Sequence, residues 1–264
     1  MRERRRNALA QVLLNWRAHF SETATINIEQ KQCEIYPGGQ LSLDIFVLVS
    51  GEDHFLDVAF EKKFGLRRAQ VTLEEPRMLP FAAHRLMADQ VDHYDWFVYS
   101  EDDLVIRQAD FFKRQHWFRK SFGPMCLLQP NRYEINPRGT RWKTYVDGAI
   151  RRRNTDPYFA RLAADTWLEG QWMGEALRFE RTRNPHAGFF ALSQQQLRHW
   201  MSCPHFLDLD CSFIGPLESA ATLGLLKTFP VYKAHGSAQS FCELEHLDTK
   251  FSALRFPAFS TQAP

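Results

Sequence analysis

One run constrains this chain more than any other. Trp96-Phe97-Val98-Tyr99-Ser100 is apolar and β-forming, and it ends directly in Glu101-Asp102-Asp103. Such a run reads as a buried strand. Three consecutive carboxylates at its end are costly, because like charges within a few ångströms raise one another's pKa and oppose folding unless something compensates. A hard divalent ion such as Mg2+ or Mn2+ is one compensation. Capping of the next helix by an acid is the other. Asp110 is better placed to begin that helix, which favours the cation over the cap.

The chain leading to this run is patterned as an α/β protein. Leu9, Val12, Leu13, Trp16 and Phe20 fall at helical spacing, so residues 7 to 20 predict an amphipathic helix. Pro37-Gly38-Gly39 marks a turn, and Leu41 to Val49 is nearly continuous and β-rich, as a buried parallel strand is. Ala69 to Leu73 predicts a short strand, and Pro80 opens a helix carrying Phe81, His84, Leu86, Met87 and Val91. The acidic triplet therefore stands at the carboxyl end of a strand, where open α/β sheets bind ligands. A helix over about 108–119 follows, then an irregular or β-rich lobe from 125 to 160. Further helices are expected near 158–168, 194–201 and 218–226, with strands near 187–192 and 228–233 and a polar tail after His246.

The bulk numbers narrow the classes. A chain of 264 residues, 44% hydrophobic, buries a sizeable core as a single domain. With 33 basic and 31 acidic residues, the net charge of +2 demands no nucleic-acid partner. Arg2, Arg4, Arg5 and Arg6 form a local basic start suited to a solvated helix end, to phosphate or to acidic lipid at an inner membrane surface. The five scattered cysteines show no zinc-type spacing and fit reduced thiols in a cytoplasmic protein. No apolar run approaches the ~20 residues of a membrane span.

Tyr99-Ser100-Glu101-Asp102-Asp103-Leu104-Val105-Ile106, preceded by a helix and the turn Asp92-His93-Tyr94-Asp95, resembles the DxD region of GT-A type nucleotide-sugar glycosyltransferases. The resemblance follows the order of elements over about residues 41 to 240. It implies a GT-A-like, Rossmann-like mixed central sheet flanked by helices. Residues 1–124 would form the nucleotide- and metal-binding half, and 125–264 the acceptor and catalytic half. It also implies Mn2+ or Mg2+ held by Asp103 and Glu101, with Asp102 nearer the ribose or sugar. His235 after a late strand would complete the metal site, with His246 competing for that place, and Arg85 could pair with phosphate. Gly188, Phe189 and Phe190 would line the sugar and acceptor pocket. Glu218, with Asp210 in reserve, would be the base for an acceptor hydroxyl. In one departure from that pattern, the chain opens in a helix rather than in the strand that grips the nucleotide base.

The expectation is a transferase moving a sugar from a nucleotide-sugar donor to a hydroxyl of a glycan or glycoconjugate, with inverting or retaining stereochemistry open. Each carrying residue also has a structural reading: Phe189 and Phe190 as core, Glu218 as a helix N-terminal acid, His235 as a structural histidine, Arg85 as a surface ion pair. Two other classes use the same acids: a metal-dependent phosphohydrolase or nucleotidyltransferase, and a non-catalytic carbohydrate-binding relative.

Overall fold

The helical spacing at the start of the chain does form a helix, α1 (Arg2–Phe20), and the five apolar residues that define it are its buried ones. The computed structural model describes residues 2–36, 41–52, 54–139, 141–148, 150, 155–159 and 161–254; the turn expected at Pro37-Gly38-Gly39 lies outside them. After α1 comes an antiparallel hairpin of β1 (Thr23–Asn27) and β2 (Gln32–Tyr36), almost wholly exposed. This hairpin does not supply a buried opening strand.

That role falls to β3 (Ile45–Ser50), which pairs in parallel with β4 (Leu66–Val71) across the helix α2 (Val58–Phe64). Parallel strands need such a crossover. Asp57 caps α2 by accepting from the Phe60 amide at 2.8 Å, and Gly65 ends it in the left-handed region at φ 60°. The helix α3 (Leu79–Asp89), with a proline in its first turn, then leads into β5 (Trp96–Ser100).

β5 pairs antiparallel with β12 (Phe189–Ser193), and alternation divides this ladder between two cores. Phe97, Tyr99, Phe190 and Leu192 face a cluster built with α3, α6 (Gln194–Met201) and α8 (Leu223–Thr228). Trp96, Val98, Phe189 and Ala191 face the other, built with α1 and α4 (Phe111–Phe122). Apolar surface is demanded on both faces, which is why these runs read as continuous rather than alternating. Both cores draw on residues before and after position 124, so the two expected halves share their interior.

The remaining strands are short. They are β6 (Leu104–Val105), β7 (Leu127–Leu128), β8 (Asn131–Ile135), β9 (Lys143–Tyr145), β10 (Trp167–Trp172), β11 (Glu175–Arg181), β13 (Val231–Ala234) and β14 (Glu243–His246). They assemble as β10-β11-β13-β7 and β6-β14-β8-β9. The protein is thus a mixed α/β protein of several small mixed sheets, and no continuous Rossmann-like central sheet is evident among the described residues. Side-chain amides bridge one gap between ladders: Gln129 Nε2 donates to the Phe189 and Pro185 carbonyls at 2.9 and 3.1 Å.

Some elements differ from the sequence reading. The helix expected near 158–168 is only the single turn α5 (Asp156–Phe159), and a hairpin, β10–β11, follows it. That hairpin turns through Met173 (φ 51°) and Gly174 (φ 86°), two consecutive positive angles that suit a tight type I′ turn. The helix expected at 218–226 is split into α7 (Pro216–Ala220) and α8. Among the described residues, no helix is long and apolar enough to cross a membrane.

Candidate functional site

The acidic triplet leaves β5 where the chain turns toward β6, and Gly188 fixes its first member. The Glu101 amide donates to the Gly188 carbonyl at 2.9 Å, and Gly188 sits at φ 59°. A Cβ at position 188 would lie 2.6 Å from Glu101 Cδ, so only glycine accommodates this carboxylate. Among the described residues, Glu101 Oε1 and Asp103 Oδ1 are buried and have no hydrogen-bond partner. An unpaired buried acceptor carries its full desolvation cost. Burial, reinforced by the charge of Asp103 and opposed by that of Arg132, pushes the Glu101 carboxyl up to about 7.

Asp102 turns the other way. Arg5, on the first turn of α1, donates to its Oδ2 through Nε at 3.1 Å and Nη2 at 2.7 Å. Its neighbours are also engaged. Arg4 pairs with Asp248 at 2.8 Å, and Arg6 reaches Asp57 at 2.9 Å and the Phe55 carbonyl at 2.5 Å. Consecutive arginines thus tie the loop after β3 to the loop after β5. The basic start of the chain is spent within the molecule at these three positions.

The histidine beside the triplet is His246, at the end of β14. Its Nε2 lies 3.5 Å from Asp103 Oδ2, and its Nδ1 lies 2.9 Å from Glu134 Oε1. Burial favours the neutral ring, but the bonds to Asp103 and Glu134 outweigh it and raise the pKa. His235 is placed differently from the sequence expectation. It is half exposed, with Nδ1 3.0 Å from Glu180 and its ring edge-on to Trp167. The turn after β13 carries it to the β11 side, while the polar strand β14 delivers the other histidine.

Behind the triplet lies a buried ionic network that sequence reasoning missed. Arg132 donates to Asp147 Oδ1 through Nε and Nη2 at 2.9 and 2.8 Å, and its amide donates to Oδ2 at 3.0 Å. Lys233 adds a bond to Asp147 Oδ2 and another to the His186 carbonyl, both 2.9 Å. Burial alone would raise the Asp147 pKa, but Lys233 and Arg132 together hold it below the usual carboxylate range. Burial and the charge of Arg132 press His186 down to about 3, so its imidazole is neutral.

The other expected site residues divide. Glu218, in the first turn of α7, is half-buried and close enough for its charge to raise the pKa values of Tyr99 and Glu101. The helix is docked by His84, whose Nε2 lies 2.9 Å from the Ala220 carbonyl. Asp210 is held in an ion pair. Lys227 donates to it at 2.8 Å, and this bond, with others from Ser212, draws its pKa down to about 2. A carboxylate held so firmly ionised is a weak base. Phe189 and Phe190 are corrected from pocket to core. Both are fully buried; Phe189 meets Phe111 edge-on, and Phe190 stacks on Tyr99 at 5.3 Å and 11°. Arg85 points outward from α3 and is exposed.

No family model matches the chain. No curated protein and no solved structure shows significant similarity to it either. Among the described residues, no group of three or more His, Cys, Asp and Glu side chains is gathered closely enough to hold a metal ion unaided. What the chain brings to one place is two partly unsatisfied carboxylates, one histidine and, beyond them, Glu218.

Proposed function

We propose that this protein is a GT-A-like glycosyltransferase, which transfers a sugar from a nucleotide-sugar donor to a hydroxyl acceptor with a divalent cation at Glu101 and Asp103. One observation carries the reading: two buried carboxylate oxygens at the carboxyl end of β5, Glu101 Oε1 and Asp103 Oδ1, have no partner among the described residues. Hard oxygen donors of this kind suit Mg2+ or Mn2+, and an imidazole suits Mn2+. Glu101 and Asp103 would hold the ion, with His246 rather than His235 as the third side chain. Oxygens of a diphosphate and of water would complete a set that the protein leaves open.

When bound, such a cation supplies charge neutralisation to the departing nucleoside diphosphate. The chain's own groups do the rest. Glu218, in the first turn of α7 and near enough for its charge to act on Tyr99 and Glu101, takes a proton from the acceptor hydroxyl. Gly188 keeps Glu101 in place, and Arg132 offsets the negative charge of Glu101 and Asp103 from behind. The reading draws support from the order β3-α2-β4-α3-β5, which puts the acids at a strand end, while β3-β4 and β12-β5 form separate ladders. In this reading the start of α1, pinned over the loops after β3 and β5, takes part in walling the nucleotide side.

Calorimetric titration of the full chain with UDP and GDP, with and without Mn2+, tests the proposal. Binding should require the metal, and Asp103→Ala should abolish it while the far-UV circular dichroism is kept. Absence of metal-dependent nucleotide binding removes the transferase reading, and sugar binding without metal would then mark a carbohydrate-binding protein.

A further inference from the structure

Glu134 has no part in the chemistry above, yet it is completely buried and surrounded by donors. The register between β8 and β14 runs Leu244↔Arg132 and Glu245↔Tyr133, which brings Glu134 alongside His246 at the strand ends. Glu134 Oε1 lies 2.9 Å from His246 Nδ1, while Oε2 accepts from the Phe251 and Ser252 amides at 3.1 and 2.6 Å. A carboxylate with this many donors is fixed in orientation. The imidazole therefore links a saturated carboxylate, Glu134, to an unsaturated one, Asp103, whose Oδ1 has no partner.

A neutral imidazole has one N–H, and the two carboxylates compete for it. Glu134 at 2.9 Å has the geometry of a hydrogen bond; Asp103, at 3.5 Å on the other nitrogen, is at the limit of one. The proton belongs on Nδ1, and the lone pair of Nε2 then faces Asp103. We infer that Glu134 is a positioning residue: it fixes the tautomer and direction of His246, so that Nε2 is presented to whatever cation Asp103 and Glu101 hold. The use of that cation rests on the function proposed above; the fixing of the ring does not. Because Glu134 also grips residues 251 and 252, the segment after β14 is fastened to the same carboxylate as the histidine. The Phe251 ring accordingly lies against the His246 ring at 6.2 Å.

The test begins on the unmodified full chain, labelled with 15N-histidine and free of metal. At a pH where His246 is neutral, two-bond 15N–1H correlations should report the Nδ1–H form. Finding Nε2–H there overturns the inference without any variant. In Glu134→Gln the weaker acceptor should let the proton pass to Nε2, and Mn2+ affinity by electron paramagnetic resonance should fall by about 10- to 100-fold. In a His246→Ala background the same substitution should cost nothing more, because it acts through the ring. Equal losses of Mn2+ affinity in both backgrounds would assign Glu134 to general structure and end the claim. A Glu134-dependent tautomer in a protein without metal-dependent nucleotide binding would uphold this inference and sink the transferase.

Discussion

Two carboxylate sites stand within reach of Arg132, and the molecule treats them in opposite ways. Asp147 is buried and receives a guanidinium, an ammonium and a backbone amide, so its charge is satisfied on both oxygens. Glu101 and Asp103 are only partly buried, with a third of the Asp103 side chain exposed, yet among the described residues each keeps one buried oxygen without a donor. Buried charge is tolerable where geometry and hydrogen bonding are complete. The first site is therefore architecture. The second is a place where folding has left a cost that a proton or a cation can relieve.

The largest expected effect lies on the satisfied side. Asp147→Asn leaves Arg132 and Lys233 buried without their counter-ion and should destabilise the fold by about 3–5 kcal/mol. Urea unfolding measures it. A loss of less than about 1 kcal/mol would mean that water reaches the network and the contrast is false.

Next comes Glu101. Its carboxyl has an ordinary value of 4.5 and is raised to about 7 in the folded protein, by burial first. Between those values the native state keeps a proton that the unfolded chain has released, so stability falls as pH rises through that window. The interval corresponds to about 3 kcal/mol at most. Glu101→Gln should flatten this dependence and, without metal, exceed the wild type in stability at pH 8. Thermal melts of both proteins from pH 4 to 8 decide the matter. Parallel curves would show that Glu101 is not under strain.

The smallest effect is expected at Asp210, which shares Lys227 with Asp208 near the surface. Asp210→Asn should cost about 1 kcal/mol or less and leave metal-dependent nucleotide binding unchanged. Loss of that binding with the fold intact would return Asp210 to the site.

How much of this was legible in the sequence follows from the range of the interactions. The acidic strand, α1 and β3 were readable because their signals are local, helical spacing and a continuous apolar run; the helix expected near 194–201 is α6, which the structure shows closed by a reciprocal Ser193–Gln196 cap. β14 was hidden because Glu243, Glu245 and His246 leave a single apolar residue, Leu244, among them and so give no strand signal. Their charges are met by Lys143, Arg107 and Glu134, each at least 100 residues away in the chain. The same distance problem exchanged His235 for His246. Phe189 and Phe190 were ambiguous from sequence because an aromatic pair serves a sugar pocket and a core equally well; α4 packing on one face and Tyr99 on the other settle it as core. The network of Arg132, Asp147 and Lys233 had no local signature at all. A buried-looking lysine within Val231-Tyr232-Lys233-Ala234 was its one visible trace.

The central proposal is that Glu101 and Asp103, at the end of β5, would hold a divalent cation in the presence of a nucleotide. Its most direct test is a calorimetric titration of Mn2+ into the full chain with UDP or GDP present, run beside Asp103→Ala and Asp210→Asn. The account predicts saturable binding in the wild type and in Asp210→Asn, and none in Asp103→Ala. Absence of binding in the wild type, or unchanged binding in Asp103→Ala, would contradict it.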